Sequence, residues 1–410
     1  MKSYFQHNIV QQFFTAQRTS SRLSALLLLT AIVAISIPLQ ASAGATSNSQ
    51  FQQYVTDICL GNITAPPGVT WNTSTMCTNA TPGYAGGGVT VSTNLGTTDA
   101  NTGSTTPKGN EVHECLDDFN QTPGEDGCAT GGWGLLVSAQ FGRSTRTETE
   151  LENGFQSDLR GLLIGMDHRF TDNFILGAAV SRTQDEATFV NSAGSLKTSN
   201  SILTMYSTWL PSEKISVDGY LGYGIVNFDS QRKIVFGTLI SGTASGSTLA
   251  RQAMAGISTA YHSKLGNVSV SPFINLDYIK TDIKGYNETG TTLLELHYGD
   301  RSTISSTASL GARLSQSYPF KWGSLSPSLH GAGVHEFQNN ANQIYSELVI
   351  TPGAGIFVAT DEPDRDYFLS GLGVTAALNS GTQLFLNYER RSGDSLLDSW
   401  AVSLGLLKEF

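Results

Sequence analysis

The stretch Trp400-Ala-Val-Ser-Leu-Gly-Leu-Leu-Lys-Glu-Phe410 alternates between apolar residues and small or polar residues with a period of two. One face carries Trp400, Val402, Leu404, Leu406 and Phe410, and Lys408 is its one break. The other face carries serine, alanine, glycine and glutamate beside Leu407. A strand of a membrane barrel needs this pattern, because one face meets lipid and the other a polar lumen. The stretch therefore predicts a β-strand of a transmembrane barrel.

Residues from Gly131 onward predict twelve such strands. Short and long connections alternate strictly between them. The predicted strands are 133–143, 157–170, 174–187, 197–210, 214–229, 247–262, 268–284, 301–317, 324–337, 366–378, 382–391 and 398–410. The long connections are 144–156, 188–196, 230–246, 285–300, 338–365 and 392–397. An even-stranded barrel with both ends in the periplasm requires short turns inside and long loops outside. A soluble sandwich has no reason to keep that order, so we expect an all-β, twelve-stranded antiparallel barrel over residues 131–410.

Residues 1–43 have the organisation of a secretory signal peptide. Three basic residues, Lys2, Arg18 and Arg22, precede an apolar run over residues 26–37, and Ala41-Ser-Ala43 follows as the cleavage site. The alternative is an N-terminal membrane anchor, but a spanning helix needs about 20 apolar residues and the run is shorter. We expect export.

Composition agrees with a barrel and limits the partners. Charged residues make up 14% of the chain, against about 25% in typical soluble domains, and there are 43 glycines. The formal net charge is −10, and no basic stripe is present, which argues against a nucleic-acid partner.

Residues 44–130 predict a small exported segment with little regular structure. Phe51, Tyr54, Val55, Ile58 and Cys59 have the spacing of one helix face. All four cysteines, Cys59, Cys77, Cys115 and Cys128, lie in this segment, and an oxidising periplasm favours two disulfides. Three pairings exist and the sequence does not choose among them, although Cys59–Cys77 with Cys115–Cys128 closes the shortest loops.

Several stretches of residues 131–410 together resemble the translocator β-domain of autotransporters, the type V secretion family. Asp158–Phe170 followed by Thr171–Ser181 resembles the family's second hairpin. Ser271-Pro-Phe273 and Leu325-Ser-Pro327 resemble its proline-bearing strands, and Asn387-Tyr-Glu389 with Gly405–Phe410 its final hairpin. Lys408 departs from the family, which usually has an aromatic residue there. No counterpart of the family's asparagine-containing cleavage helix is evident, so we expect the exported segment to stay attached.

The resemblance implies an outer-membrane protein that translocates or displays residues 44–130 at the cell surface, without catalysis and without a cofactor. It implies as partners the Sec export system, periplasmic chaperones, the barrel assembly machinery, outer-membrane lipid and lipopolysaccharide, with the barrel a monomer. Trp400, Val402, Leu404, Leu406 and Phe410 would form the assembly signal. One alternative is a narrow pore plugged by its N-terminal segment in the periplasm or lumen. Another is a secreted soluble β-protein, such as a hydrolase.

Three sets of residues carry chemistry-like patterns with simpler interpretations. Gly393-Asp-Ser-Leu396 spells the nucleophile block of GDSL esterases, but no histidine follows it to act as the base. Five histidines lack the spacing of metal ligands; they are His113, His262, His297, His330 and His335. Seven charged residues are predicted to point into the lumen, either solvated or paired: Asp167, Arg169, Asp185, Asp218, Asp277, Glu389 and Arg391.

Overall fold

A computed structural model describes most of the chain from the first helix onward. The described residues are 49–79, 132–149, 151–236, 240–338, 343–362 and 364–410. The predicted signal peptide with Ala41 and Ala43, the cysteines Cys115 and Cys128, and His113 lie outside the described residues.

Within the described residues, two helices precede the sheet, α1 over Ser49–Leu60 and α2 over Ser74–Asn79. The predicted apolar face of α1 is confirmed, since Phe51, Tyr54, Val55 and Ile58 are all buried. A disulfide joins Cys59 of α1 to Cys77 of α2, which selects among the three pairings left open by the sequence the one that closes the shortest loops. Neither helix is long and apolar enough to cross a bilayer, and the same holds for the rest of the described chain.

The part of the chain that the structure describes continues with eighteen strands. They are β1 Trp133–Arg146, β2 Phe155–Thr171, β3 Phe174–Phe189, β4 Gly194–Ser212, β5 Ile215–Phe236, β6 Ile240–Tyr261, β7 Ser263–Leu265, β8 Val268–Ile283, β9 Tyr286–Asn287, β10 Leu296–Tyr298, β11 Arg301–Ser315, β12 Tyr318–Phe320, β13 Gly323–Glu336, β14 Gln343–Leu348, β15 Ile356–Ala359, β16 Asp366–Leu378, β17 Thr382–Ser392 and β18 Leu397–Glu409. A short 3₁₀ turn, Val190–Ser192, joins β3 to β4.

Twelve of these strands form the closed antiparallel barrel that the sequence predicts: β1–β6, β8, β11, β13 and β16–β18. The first and last strands close it, with a continuous register from Gly134 opposite Glu409 to Arg146 opposite Leu397. Closure leaves no unpaired sheet edge, so the backbone groups of the barrel are satisfied within the sheet.

The predicted loop over residues 230–246 is wrong. β5 and β6 each run for 22 residues, and their ladder continues without a break from Ile215–Tyr261 to Phe236–Ile240. Inward residues such as Phe228 and Ile234 are fully buried, which holds this extension in strand form even though its outer face is polar.

The connections predicted to be short lie at one end of the barrel, which we call the short-turn end, and those predicted to be long lie at the other, the long-loop end. At the long-loop end, residues 190–193 alone separate β3 from β4 and residues 237–239 alone separate β5 from β6, so the predicted long connection 188–196 is shorter than expected. Two long connections, between β8 and β11 and between β13 and β16, contain a second antiparallel sheet in the order β15-β14-β10-β9. We call these four strands the cap sheet. Arg146, at the long-loop end of β1, pairs with Glu152 and with Asp361, 2.9 Å away, and so ties two of the long connections together.

Candidate functional site: band, lumen and cap

An apolar band surrounds the barrel on its outer face. On β5 the outward residues Leu221, Tyr223 and Ile225 are 66%, 56% and 46% exposed, whereas the next outward positions, from Asn227 to Lys233, are polar. On β2 the outward apolar residues run from Leu162 to Phe170. A tilted strand needs about 9–11 residues to cross a bilayer. The band therefore marks the membrane, and the parts of β3–β6 nearest the long-loop end extend beyond it.

The predicted faces of β18 are confirmed. Trp400, Leu404 and Phe410 are exposed on the outer face, while Leu407 is buried on the inner face. The backbone N–H of Phe410 donates to the carbonyl of Trp133 at 2.9 Å, so the ladder of the closing pair extends to the last residue. The role of this face, including Val402 and Leu406, as an assembly signal stays a prediction.

The seven charged residues predicted to point inward lie on the inner face, and several have partners there. The Asp167 carboxylate accepts a hydrogen bond from the Tyr206 hydroxyl at 2.8 Å, and Asp277 accepts one from Tyr220 at 2.6 Å. Thr208 donates to Asp218 at 2.7 Å. The remaining four also have partners. Asp185 forms a hydrogen bond with Ser157. Arg169 pairs with Glu409, Glu389 pairs with His330, and Arg391 pairs with Asp394.

Both tyrosine–aspartate bonds pass over an intervening strand, and a glycine makes room for each. Tyr206 on β4 reaches Asp167 on β2 across Gly177 of β3, where a Cβ atom would lie 2.4 Å from the tyrosine ring. Tyr220 on β5 reaches Asp277 on β8 across Gly256 of β6, where a Cβ atom would lie 2.3 Å from the ring. Sequence reasoning missed this arrangement, although its signal is an inward glycine between an inward tyrosine and an inward aspartate.

The described histidines lie in ordinary polar contacts. His262 bonds Ser216 and Ser271, His297 bonds Asn287, and His335 lies 2.7 Å from Asp366. Within the described ranges, no three histidine, cysteine, aspartate or glutamate side chains converge as metal ligands.

The Gly393–Leu396 motif forms the connection between β17 and β18. The Asp394 carboxylate accepts the backbone N–H groups of Leu396 and Leu397 at 2.9 Å each and pairs with Arg391. These contacts stabilise a turn, and Ser395 is exposed on it.

Residues 49–79 pack onto the long-loop end and form a buried core with it. The apolar face of α1 and Met76 of α2 contact the end of the β5–β6 hairpin, the cap sheet and the segments beside it. The buried residues opposite the helices are Ile234, Ile240, Ala244, Leu294, Leu296, Tyr298, Ile344 and Leu348. We call residues 49–79 together with the cap sheet the cap. No partner for the apolar face of α1 is evident from the sequence, since the partners lie about 180 or more residues away along the chain.

Polar contacts fix α1 in the cap. The Tyr54 hydroxyl donates to the carbonyl of Ala354 and lies 3.4 Å from the Thr351 hydroxyl. The indole N–H of Trp71 donates to the carbonyl of Pro352 at 3.4 Å. Burial raises the pKa of the Tyr54 hydroxyl, and the hydrogen bond with Thr351 opposes that shift.

A buried ion pair lies under the same helix. The Nε of Arg232 donates to the Glu288 carboxylate at 2.9 Å, and its Nη2 donates to the carbonyl of Leu294 at 2.9 Å. Burial by itself would lower the pKa of Arg232. The attraction of the Glu288 carboxylate is larger in effect, so the pKa of Arg232 is raised. Arg232 therefore stays charged beneath α1.

Comparisons with known proteins agree on the barrel. The family model described as "Autotransporter beta-domain" matches residues 135–389. Lipase 1 of Photorhabdus luminescens is 26% identical over 252 residues, which are 61% of this chain and 38% of that protein. Outer membrane protein A of Rickettsia rickettsii is 24% identical over 274 residues, 64% of this chain and 12% of that protein. The chain thus spans well under half of each of these relatives.

Two solved structures show the same fold. The translocator domain of the autotransporter NalP from Neisseria meningitidis has a TM-score of 0.57 at 13% identity, covering 76% of this chain and 98% of that domain. The β-domain of the Bordetella autotransporter BrkA has a TM-score of 0.53 at 16% identity, covering 68% of this chain and 100% of that domain.

Proposed function

The chain belongs to the autotransporter β-domain family. From this premise we propose that its outer-membrane barrel displays residues 44–130 at the cell surface as an attached segment that contains a disulfide. In this family-type barrel, short turns face the periplasm and long loops face outward. The residues of α1 and α2 pack at the long-loop end. That packing is the observation that carries the proposal.

The start of β1 provides the second support. Trp133 pairs with His168, next to the short turn between β2 and β3, so β1 begins at the short-turn end. The chain leaves α2 at the long-loop end and enters β1 at the opposite end. The described residues on either side of this stretch thus lie at opposite ends of the barrel. We propose that this placement is the trace of translocation.

Burial of α1 favours retention of the segment over release. Its apolar face contacts residues from several separate connections, and burying a large apolar side chain stabilises by about 1.5–3 kcal/mol. We propose that residues 1–43 are removed, residues 44–130 stay attached, and residues 131–410 form the monomeric translocator. Chaperones, the barrel assembly machinery and the terminal-strand signal would serve its insertion.

The proposal contains no catalytic step. The family domain is a transporter, and the lipase name among the relatives belongs to a protein of which this chain spans 38%. The Gly393–Leu396 turn takes a structural part, because its aspartate is engaged with backbone N–H groups and Arg391.

An epitope tag inserted after Gly68 tests the display, since this residue lies in an exposed turn between the helices with a left-handed backbone. We expect antibody to bind the tag on intact cells. The matched control is the same tag after Gly266, in the turn at the short-turn end, which we expect to be detected only in permeabilised cells.

Detection of the Gly68 tag only after permeabilisation, in a barrel that still migrates as folded without boiling, would contradict display. It would support the plugged barrel whose N-terminal segment stays in the periplasm or lumen.

A further inference from the structure

Two arginines lie on the outer face of the barrel where the apolar band ends. Arg160 on β2 and Arg182 on β3 both point outward and are exposed. The next outward residues toward the short-turn end are Leu162 and Val180, which are 48% and 59% exposed within the band. On the other side the outward residues are polar, with Gln184 on β3. The two guanidinium groups therefore lie at the boundary between the lipid chains and water.

The strand register brings the two arginines together. Arg182 lies opposite Leu162, and Arg160 lies opposite Gln184, so the arginines are diagonal neighbours. Diagonal neighbours have Cα atoms about 7–8 Å apart, and like charges this close destabilise each other. A bound anion between them removes that repulsion.

Nearby carboxylates are already engaged with other cations. Asp158 pairs with Arg143 at 2.7 Å, and Glu186 pairs with Lys197 at 3.3 Å. Neither Arg160 nor Arg182 has a hydrogen-bond or ion-pair partner among the residues that the structure describes. Two adjacent guanidinium groups are thus available to a ligand from outside the protein.

A third cation continues this rim. Arg182 lies opposite Ser201, Ser201 opposite Ile225, and Ile225 opposite Arg251, which also points outward and is exposed. Three strand spacings separate Arg182 from Arg251, or about 14 Å. We call Arg160, Arg182 and Arg251 the arginine rim.

We propose that the arginine rim binds the phosphate groups of the outer-leaflet glycolipid, lipopolysaccharide, while the acyl chains lie along the band below. Guanidinium groups bind phosphate oxygens in a bidentate manner, and the ester-linked chains of a glycolipid begin at the level where the rim lies. The net charge of −10 gives the chain no general attraction for anions, so binding has to be local. The inference rests on the outer-membrane placement but not on display of the cap.

The test uses the full chain purified in a non-ionic detergent and titrated with bisphosphorylated lipid A and with dephosphorylated lipid A, with binding measured by native mass spectrometry. We expect the wild type to prefer the phosphorylated lipid, and R160Q/R182Q to bind it at least about tenfold more weakly. The control K214Q/K264Q removes two exposed cations at the short-turn end and should bind like the wild type.

Equal binding of the phosphorylated lipid by R160Q/R182Q and the wild type, with folded migration intact, would overturn the inference. Should that variant not fold, the wild type alone decides, because equal affinity for the two lipids also overturns it. Either result leaves surface display of the cap untouched, which the Gly68 tag measures separately.

Discussion

Arg232 on β5 and Glu288, which directly follows β9, form a fully buried ion pair beneath α1, and the guanidinium carbon lies 6.0 Å from the centre of the Phe51 ring. The pair links a barrel strand, the end of the cap sheet and helix α1 at one point. Glu288 also accepts the backbone N–H of Leu296 at 2.9 Å. A substitution of Arg232 or Glu288 should therefore destabilise the packing of the whole cap.

The substitution Glu288→Gln should loosen the cap without unfolding the barrel. Removing one partner of a buried ion pair leaves an uncompensated charge and costs about 3–5 kcal/mol. We expect faster proteolysis of residues 49–79 and unchanged heat-modifiable migration. The control Glu186→Gln removes the partner of Lys197 in an exposed pair, which contributes about 1 kcal/mol or less. Equal protease resistance of E288Q and E186Q would contradict the assigned role of the pair.

Alkaline pH should release α1 from the cap sheet. Burial raises the pKa of the Tyr54 hydroxyl above its ordinary value of 10.0. As the pH rises above 10, the hydroxyl therefore ionises first in molecules whose α1 has left its packing site. Stability from Tyr54 is complete below pH 10 and falls as the pH rises through the folded pKa. Phenolate absorbance and protease sensitivity of residues 49–79 should rise together above pH 10. A Tyr54→Phe variant should lose this part of the pH dependence, and a variant that keeps it would exclude Tyr54 as the cause.

The outer face of β18 should govern assembly. We expect Trp400→Ser with Phe410→Ser to lower the outer-membrane level sharply while export continues, as measured by fractionation and heat-modifiable migration. Phe337→Ser with Phe357→Ser is the control, because these aromatics are also exposed but lie outside the band, in the long connections. Unchanged membrane levels in the first variant would count against the assembly-signal interpretation.

A methyl group at Gly177 should destabilise the barrel wall. The Cβ of Gly177→Ala would lie 2.4 Å from the Tyr206 ring and 2.7 Å from the Cβ of Asp167, so the tyrosine–aspartate bond would have to move. Overpacking of this kind costs about 1–3 kcal/mol. Gly219→Ala is the control, since its nearest neighbour would be the Ser207 hydroxyl at 3.6 Å. We expect unfolding at lower urea concentration for G177A only; the same midpoint for both variants would argue against the close contact.

The sequence predicts the barrel well because its two determinants are local. Period-two alternation, as in Trp400–Phe410, follows from the strand geometry, and the order of short and long connections follows from chain direction. The helix face of Phe51, Tyr54, Val55 and Ile58 was equally readable, since i, i+3, i+4 spacing is a property of neighbours.

The cap and the lumen bonds were not predictable in the same way. Tyr54 meets Ala354 at a separation of 300 residues, and nothing in either segment indicates the other. The bond between Tyr206 and Asp167 depends on the register of three strands, which alternation does not specify. Residues 241–247, Ser-Gly-Thr-Ala-Ser-Gly-Ser, have the composition of a loop, yet the ladder with β5 holds them as strand.

The pairing of β1 with β18 has a consequence for biogenesis. Because the seam joins residues near the start of the barrel to residues near its end, a nascent chain that stops short of Leu397 leaves β1 with an open edge. The ring is complete only after the final strand is delivered, so barrel closure must be post-translational.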